Sequence, residues 1–282
     1  MQEFKITKWS EFEATLYQHV LSPHKRGQKI KATSSPQPLF RGLGNSQWGL
    51  QTTLERSHPL ECSSEHVSFL KYMRNALASK PIIESLTGKR WEEVPDFGQF
   101  SKLFEKHLKQ DGWLNTFFNR VPVFEYLTYL RHHGFPSPFL DWTSSPYVAA
   151  LFAFDAIQKD TEYVAVNALV RDHMQTASSA QHLFVIGPYM RTHPRHHLQQ
   201  SQYTMCVKLA ENDYSFCRHD EAFVGIGAVR AKLIRILISA DQRILALKNL
   251  DLMNINPFSV YGSEESLMRT IARRKFLTKD WN

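Results

Sequence analysis

Residues 131–154 read Arg-His-His-Gly-Phe-Pro-Ser-Pro-Phe-Leu-Asp-Trp-Thr-Ser-Ser-Pro-Tyr-Val-Ala-Ala-Leu-Phe-Ala-Phe. They spell a turn, a short buried strand and the start of a buried helix. Gly134, Pro136 and Pro138 stop any helix arriving from Tyr126 to His132, because proline lacks a donor and pushes its predecessor toward extended geometry. Phe139 and Leu140 then enter a core, and Asp141, Trp142 and Thr143 close the strand. Ser144 or Ser145 can cap the next helix, whose first turn tolerates Pro146. That helix is apolar nearly all round, which places it inside the protein. His132, His133, Asp141, Trp142 and Thr143 thus crowd a strand-to-helix corner. A lone Asp-x-Thr is more often a cap than a catalyst; the neighbouring histidines raise the odds of chemistry, since buried polar groups persist only when satisfied or used.

Working outward, the 282 residues are enough for a single large domain. Hydrophobic content of 43% with 12% aromatic residues excludes a disordered chain. No apolar run is long enough for a membrane span, and the start lacks a secretory core, so a cytoplasmic protein is expected. Cys62, Cys206 and Cys217 show no metal or disulfide spacing. A net charge of +7 and a pI near 9.2 favour polyanionic partners and argue against a strongly cationic substrate.

Residues 1–20 carry Trp9, Phe12, Leu16 and Val20 at helical spacing, which predicts one amphipathic helix before a basic linker. Leu39 and Phe40 predict a short strand that Arg41 leaves directly before a glycine turn. Gly42, Gly44 and Gly49 mark close backbone approach or positive φ, and an arginine there can hold phosphate through its planar fork. Helices are expected near 63–78, 97–108 and 121–130, with 81–95 irregular between the first two. Strands are expected near 163–170, 183–186, 203–209 and 233–238, then a helix opened by a capping box at Ser239 and a last helix opened by Ser263. Four histidines between His182 and His197 lack carboxylate or cysteine partners at ligand spacing, so no metal is expected.

Phe40-Arg41-Gly42 with Trp48 and Leu50, the stretch from His132 to Ala153, and Arg195 with Gln199, Gln200, Tyr203 and Thr204 resemble, in order, three motifs of the FRG domain family. The resemblance covers about residues 36–275, giving a domain at 36–275 between an N-terminal helix and basic linker (1–35) and a tail (276–282). The chain departs from the pattern at Arg131, where the family usually has Gln, and at His133, Ser137, Pro138 and Ser201. More distantly, the three motifs are similar to the ADP-ribosyltransferase layout. That likeness implies an α+β fold: an ADP-ribosyltransferase-like mixed sheet core flanked by helices, with an N-terminal helical segment. It also implies NAD as a substrate.

On that resemblance Arg41 and Gly42 hold the diphosphate, and Trp142, Thr143 and Ser144 shape the nicotinamide pocket. Asp141 supplies the carboxylate that the third motif lacks, with Glu221 as runner-up, while His132 orients it or moves a proton and Gln200 hydrogen-bonds. The implied activity is an NAD-dependent ADP-ribosyltransferase toxin or effector modifying nucleic acid, with RNA favoured, in a toxin–antitoxin or antiphage setting. An antitoxin is a further expected partner. Three other readings compete: a non-catalytic nucleic-acid-binding module using Trp48 or Trp113, a transferase acting on protein, and a nuclease, for which the motifs offer too few carboxylates.

Overall fold

The structure is a computed structural model that describes residues 1–21, 37–57, 67–108, 122–171, 181–187, 194–210, 213–220 and 231–277. Its strands are β1 (Gln2–Ile6), β2 (Leu39–Leu43), β3 (Leu140–Thr143), β4 (Tyr163–Arg171), β5 (Gln181–Ile186), β6 (Ser201–Ala210), β7 (Asp213–Phe216) and β8 (Ala231–Ser239). They form one mixed sheet in the order β1-β8-β4-β2-β3-β6-β5, with β7 beside β6. β1 pairs parallel with β8, and the other pairs are antiparallel. The expected mixed sheet flanked by helices is therefore present.

Side chains alternate between the two faces of a strand, so the registers assign every strand residue to a side. Phe40 lies opposite Thr143, Asp141 opposite Tyr203 and Thr143 opposite Ser201, which puts all five on one face. Two helical groups cover that face. Over β5 and β6 lie α1 (Phe69–Ala78), α2 (Phe97–Leu108) and α3 (Phe124–His132), packed on Phe184, Tyr203, Met205 and Val207. Over β2, β4 and β8 lie α4 (Pro146–Asp155) and α5 (Arg243–Leu252), packed on Phe40, Val164, Val166 and Ile236. The short β3 runs between the two groups.

The corner forms as the sequence dictates. Gly134 adopts φ 88°, ending α3, and the Tyr72 hydroxyl donates to the Pro136 carbonyl at 3.0 Å, fixing the turn. The Val148 N–H donates to Ser145 Oγ at 3.3 Å, with Pro146 in the first turn of α4. Gly42 and Gly44 serve close packing: a Cβ at Gly42 would lie 1.9 Å from the Ala149 carbonyl oxygen, and one at Gly44 2.1 Å from that of Ala156.

Several local expectations need correction. Residues 2–6 are strand, not helix, because Phe4 and Ile6 join the sheet through β8, over 230 positions away; the helical turns begin only at Trp9. Lys80–Thr87 is helical where an irregular stretch was expected, since Pro81 sits in the first turn, where its missing donor costs nothing. Arg41 and Gly42 lie within β2 and do not leave it for a turn. Ser239 makes no side-chain cap bond, and a 3-10 turn, Ala240–Gln242, precedes α5. The basic linker, Cys62, Trp113 and the end of the tail lie outside the described residues.

Gly42→Ala forces α4 off β2, and a loss of about 2 kcal/mol or more is expected, read as a lowered urea midpoint. Gly134→Ala has open space around it and bears only the left-handed backbone penalty of about 1–2 kcal/mol.

Candidate functional site

Between the two helical groups, over β3, lies a cleft of about 600 Å³. It is bordered by Arg41 and Gly42 of β2, Asp141 and Thr143 of β3, Arg131 and His132 of α3, and Ser201 and Tyr203 of β6. Three segments separated by some 160 residues of sequence therefore share one cavity.

Asp141 is the carboxylate on its floor. Arg131 grips it with both arms of the fork: Nε donates to Oδ1 at 2.6 Å and Nη2 donates to Oδ2. The Arg131 side chain is 10% exposed and that of Asp141 45%, so the pair is sealed on the protein side and open to the cleft. Burial works against ionisation of Asp141, but the charge and hydrogen bonds of Arg131, with Arg41 and His132 adding, hold its pKa below the ordinary value. Burial likewise disfavours the Arg131 charge, and Asp141 more than restores it. Arg131 Nη1 also donates to Thr53 Oγ1 at 3.2 Å, and the Ser137 N–H donates to the same oxygen at 2.9 Å, which ties the clamp to the turn.

Arg41 is fixed from both ends. Its carbonyl accepts from Asn167 Nδ2 at 3.2 Å, and Arg235 Nε in turn donates to Asn167 Oδ1 at 3.1 Å. β2 and β3 share one registered pair, Phe40 with Thr143, and Arg41 Nη1 donates to the Asp141 carbonyl at 2.8 Å, where a ladder bond would otherwise fall. Burial lowers the Arg41 pKa to about 10, opposed by Asp141, so the group stays protonated at neutral pH.

His132 reaches the Tyr203 hydroxyl through Nε2 at 3.3 Å, and that hydroxyl lies 3.4 Å from His196 Nδ1. A hydroxyl owns one proton and can donate to one ring while accepting from the other, so the trio forms a directional route from the cleft inward. Burial raises the Tyr203 pKa, keeping it a neutral phenol.

Four sequence-expected contacts do not face this cavity as supposed. Trp142 borders it, but its indole is 2% exposed, points to the opposite sheet face and donates through Nε1 to Thr204 Oγ1 at 2.7 Å. Ser144 does not line the cleft; its Oγ accepts from Gln202 Nε2 at 3.1 Å and its N–H donates to the Gln200 carbonyl at 3.1 Å, lacing β3 to β6. Gln200 takes φ 49° in the turn before β6 with its side chain exposed, and Gln199 lines the cleft in its place. Gly42 borders the cavity, but the side its Cβ would occupy is filled by α4, so no ligand approaches it from that side. Glu221 lies outside the described residues. The sequence flagged Arg131 only as a departure from a motif; its place one helical turn from a proline corner and ten residues from Asp141 was the available signal.

Behind Trp142, Thr204 Oγ1 lies 2.8 Å from His219 Nε2, a fully buried ring. Burial, with the nearby Arg41 charge, lowers the His219 pKa to about 3, so it stays neutral. Among the described residues no cluster of three or more His, Cys, Asp or Glu could hold a metal ion, and no helix is long and apolar enough to cross a membrane.

Residues 37–162 match the model of the FRG domain. No curated protein and no solved structure matches the chain. The FRG match supplies β2, the Arg131–Asp141 clamp and α4, while Arg195, Gln199, Ser201, Tyr203, Tyr261 and Arg269, on the remaining cleft walls, follow it in sequence.

Two measurements test this geometry. His219 is neutral in the fold and gains a proton on unfolding, so its contribution is complete above pH 6.5 and is lost as pH falls toward about 3. The unfolding free energy from urea titrations should fall over that window by up to about 5 kcal/mol, and His219→Gln should flatten the slope. Arg131→Gln should cost about 2 kcal/mol, allowing for the half-open carboxylate, with much less lost when Asp141→Asn is already present.

Proposed function

We propose that the chain is an NAD-dependent ADP-ribosyltransferase acting on nucleic acid, RNA above all, and that its sheet is the core of an ADP-ribosyltransferase-like fold. The observation that carries the proposal is the charge of the cleft. Arg41, Arg131, Arg195 and Arg269 border it against Asp141 and Asp155, four guanidinium groups to two carboxylates. That surplus suits an anionic ligand, and the volume lies within the range of small-molecule sites, roughly 300–1,000 Å³.

In this scheme the Arg41 and Arg131 charges draw the diphosphate toward the floor. Arg131 occupies two of the roughly four lone-pair sites of Asp141, leaving the others for ribose hydroxyls. The carboxylate stays ionised and stabilises positive charge on the ribose as the bond from its anomeric carbon to nicotinamide breaks. Nicotinamide departs neutral with the bonding pair, and the acceptor forms the new bond to the same carbon. The acceptor's proton passes to His132, with Tyr203 and His196 behind it. Thr143 lines the pocket; its Oγ1 accepts from the Ser145 N–H at 3.1 Å, which keeps the corner rigid. A toxin or effector role fits a chain that modifies nucleic acid, with an antitoxin as its natural partner.

The test is incubation of the protein with NAD labelled in its adenylate half and with total RNA. Label transfer with nicotinamide release is expected, falling about 100-fold or more in Asp141→Asn and in Arg41→Ala. Binding of RNA without any release would support a non-catalytic module instead.

A further inference from the structure

We propose that Cys206 and Cys217 are a redox modification site: a peroxide joins them in a reversible cross-strand disulfide that fastens the segment bearing His219 and Asp220 to β6, behind the strand that carries Asp141. Neither thiol borders the cleft or takes part in the proposed transfer reaction.

Eleven positions apart, the two cysteines have no motif spacing in the chain; the sheet brings them face to face. β7 pairs with β6 antiparallel, Val207 against Phe216 and Lys208 against Ser215. One step further in the same register, Cys206 falls opposite Cys217. The Cys217 N–H donates to the Cys206 carbonyl at 3.2 Å, so the ladder continues through the pair. Directly opposite residues of an antiparallel pair point to the same face, and at a hydrogen-bonded position their Cα atoms stand about 5.5 Å apart. Disulfides span Cα separations of about 4.4–6.8 Å, so the bond needs no rearrangement of the strands. Both are free thiols, and both lie in the apolar cluster of Leu50, Leu140 and Trp142.

The two sulfurs are not equivalent. Cys217 is 5% exposed and Cys206 1%, and burial pushes the Cys206 thiol well above its ordinary value, with the Cys217 thiol adding to the rise. Cys217 is therefore the sulfur that hydrogen peroxide meets first. Its thiolate attacks one peroxide oxygen, the O–O bond breaks, and the departing hydroxide takes up the proton the thiol gave away. A sulfenic acid and one water result. The Cys206 sulfur then attacks the sulfenic sulfur, the S–O bond breaks, and the second water leaves with the Cys206 proton. Two thiols have lost two electrons and two protons, and one peroxide has become two waters. A dithiol reductant reverses the bond by exchange.

The bond would brace the back of β3. Just beyond Cys217, His219 Nε2 lies 2.8 Å from Thr204 Oγ1, the oxygen that also accepts from the Trp142 indole. Asp220 Oδ2 accepts from the Leu50 N–H at 3.1 Å, tying the same segment to the stretch after β2.

The test exposes the whole protein, and its Cys62→Ser, Cys206→Ala and Cys217→Ala variants, to hydrogen peroxide in native buffer. Catalase and an alkylating agent stop the reaction, and peptides are mapped by mass without reduction. A peptide pair joined through Cys206 and Cys217 is expected in the unaltered chain and in Cys62→Ser, and dithiothreitol should release it. Urea titrations of oxidised against reduced protein should show the unfolding constant lowered about 10- to 100-fold, as for a closed loop of about a dozen residues. Each variant is its own reduced control, and neither alanine variant should show that shift. The proposal is overturned if both thiols are recovered free, if Cys217 ends only as a sulfinic acid, or if either cysteine is joined to Cys62 instead. It is overturned equally if the bond forms only once urea is present, or forms without changing the unfolding constant.

Discussion

The cleft depends on one ion pair. Arg131 ends a helix that is otherwise buried among aromatic residues, and its charge can remain there only because Asp141 meets it with both oxygens. The pair locks α3 to β3 across the Pro136–Pro138 turn, with Thr53 as a third attachment. It also keeps the cavity from filling. Helices closing over β3 would strip water from Asp141 and from Arg41, a cost that apolar packing on so short a strand cannot offset.

The same balance constrains any chemistry performed there. A carboxylate held ionised by a guanidinium cannot act as a general acid near neutral pH; it can orient hydroxyls and face positive charge. In the proposed reaction proton movement falls instead to His132 and Tyr203, with the buried His196 behind them. On the opposite sheet face, Trp142, Thr204 and His219 form a second polar line, kept neutral by burial and fixing the back of the strand that carries Asp141. One four-residue strand thereby presents Asp141 to the cleft and Trp142 to the opposite face.

Much of this was legible in the chain. The glycine–proline turn, the strand at Leu140–Thr143 and the Ser145–Pro146 helix start are local rules, and they hold in the structure. The convergence of Arg41, Asp141 and the segment near Gln199 followed from motif order. What escaped depends on pairing between distant residues. β1 is visible only through its partner β8, and Gly42 is explained only by Ala149 lying against it. Gln200 gave way to Gln199 because a left-handed turn reverses which side chain faces inward. Trp142 is different, since neighbours on a strand point to opposite faces, and placing both Asp141 and Trp142 in one pocket broke a rule the sequence already contained.

The central claim is that β2, β3 and β6 bring their motifs together to make one anion-binding cavity of dinucleotide size. A structure determined with NAD bound tests it most directly. The diphosphate is expected beside Arg41 and Arg131, with a ribose against the free lone pairs of Asp141. A dinucleotide bound anywhere else on the molecule, or a cavity that stays empty at saturating NAD, would contradict it.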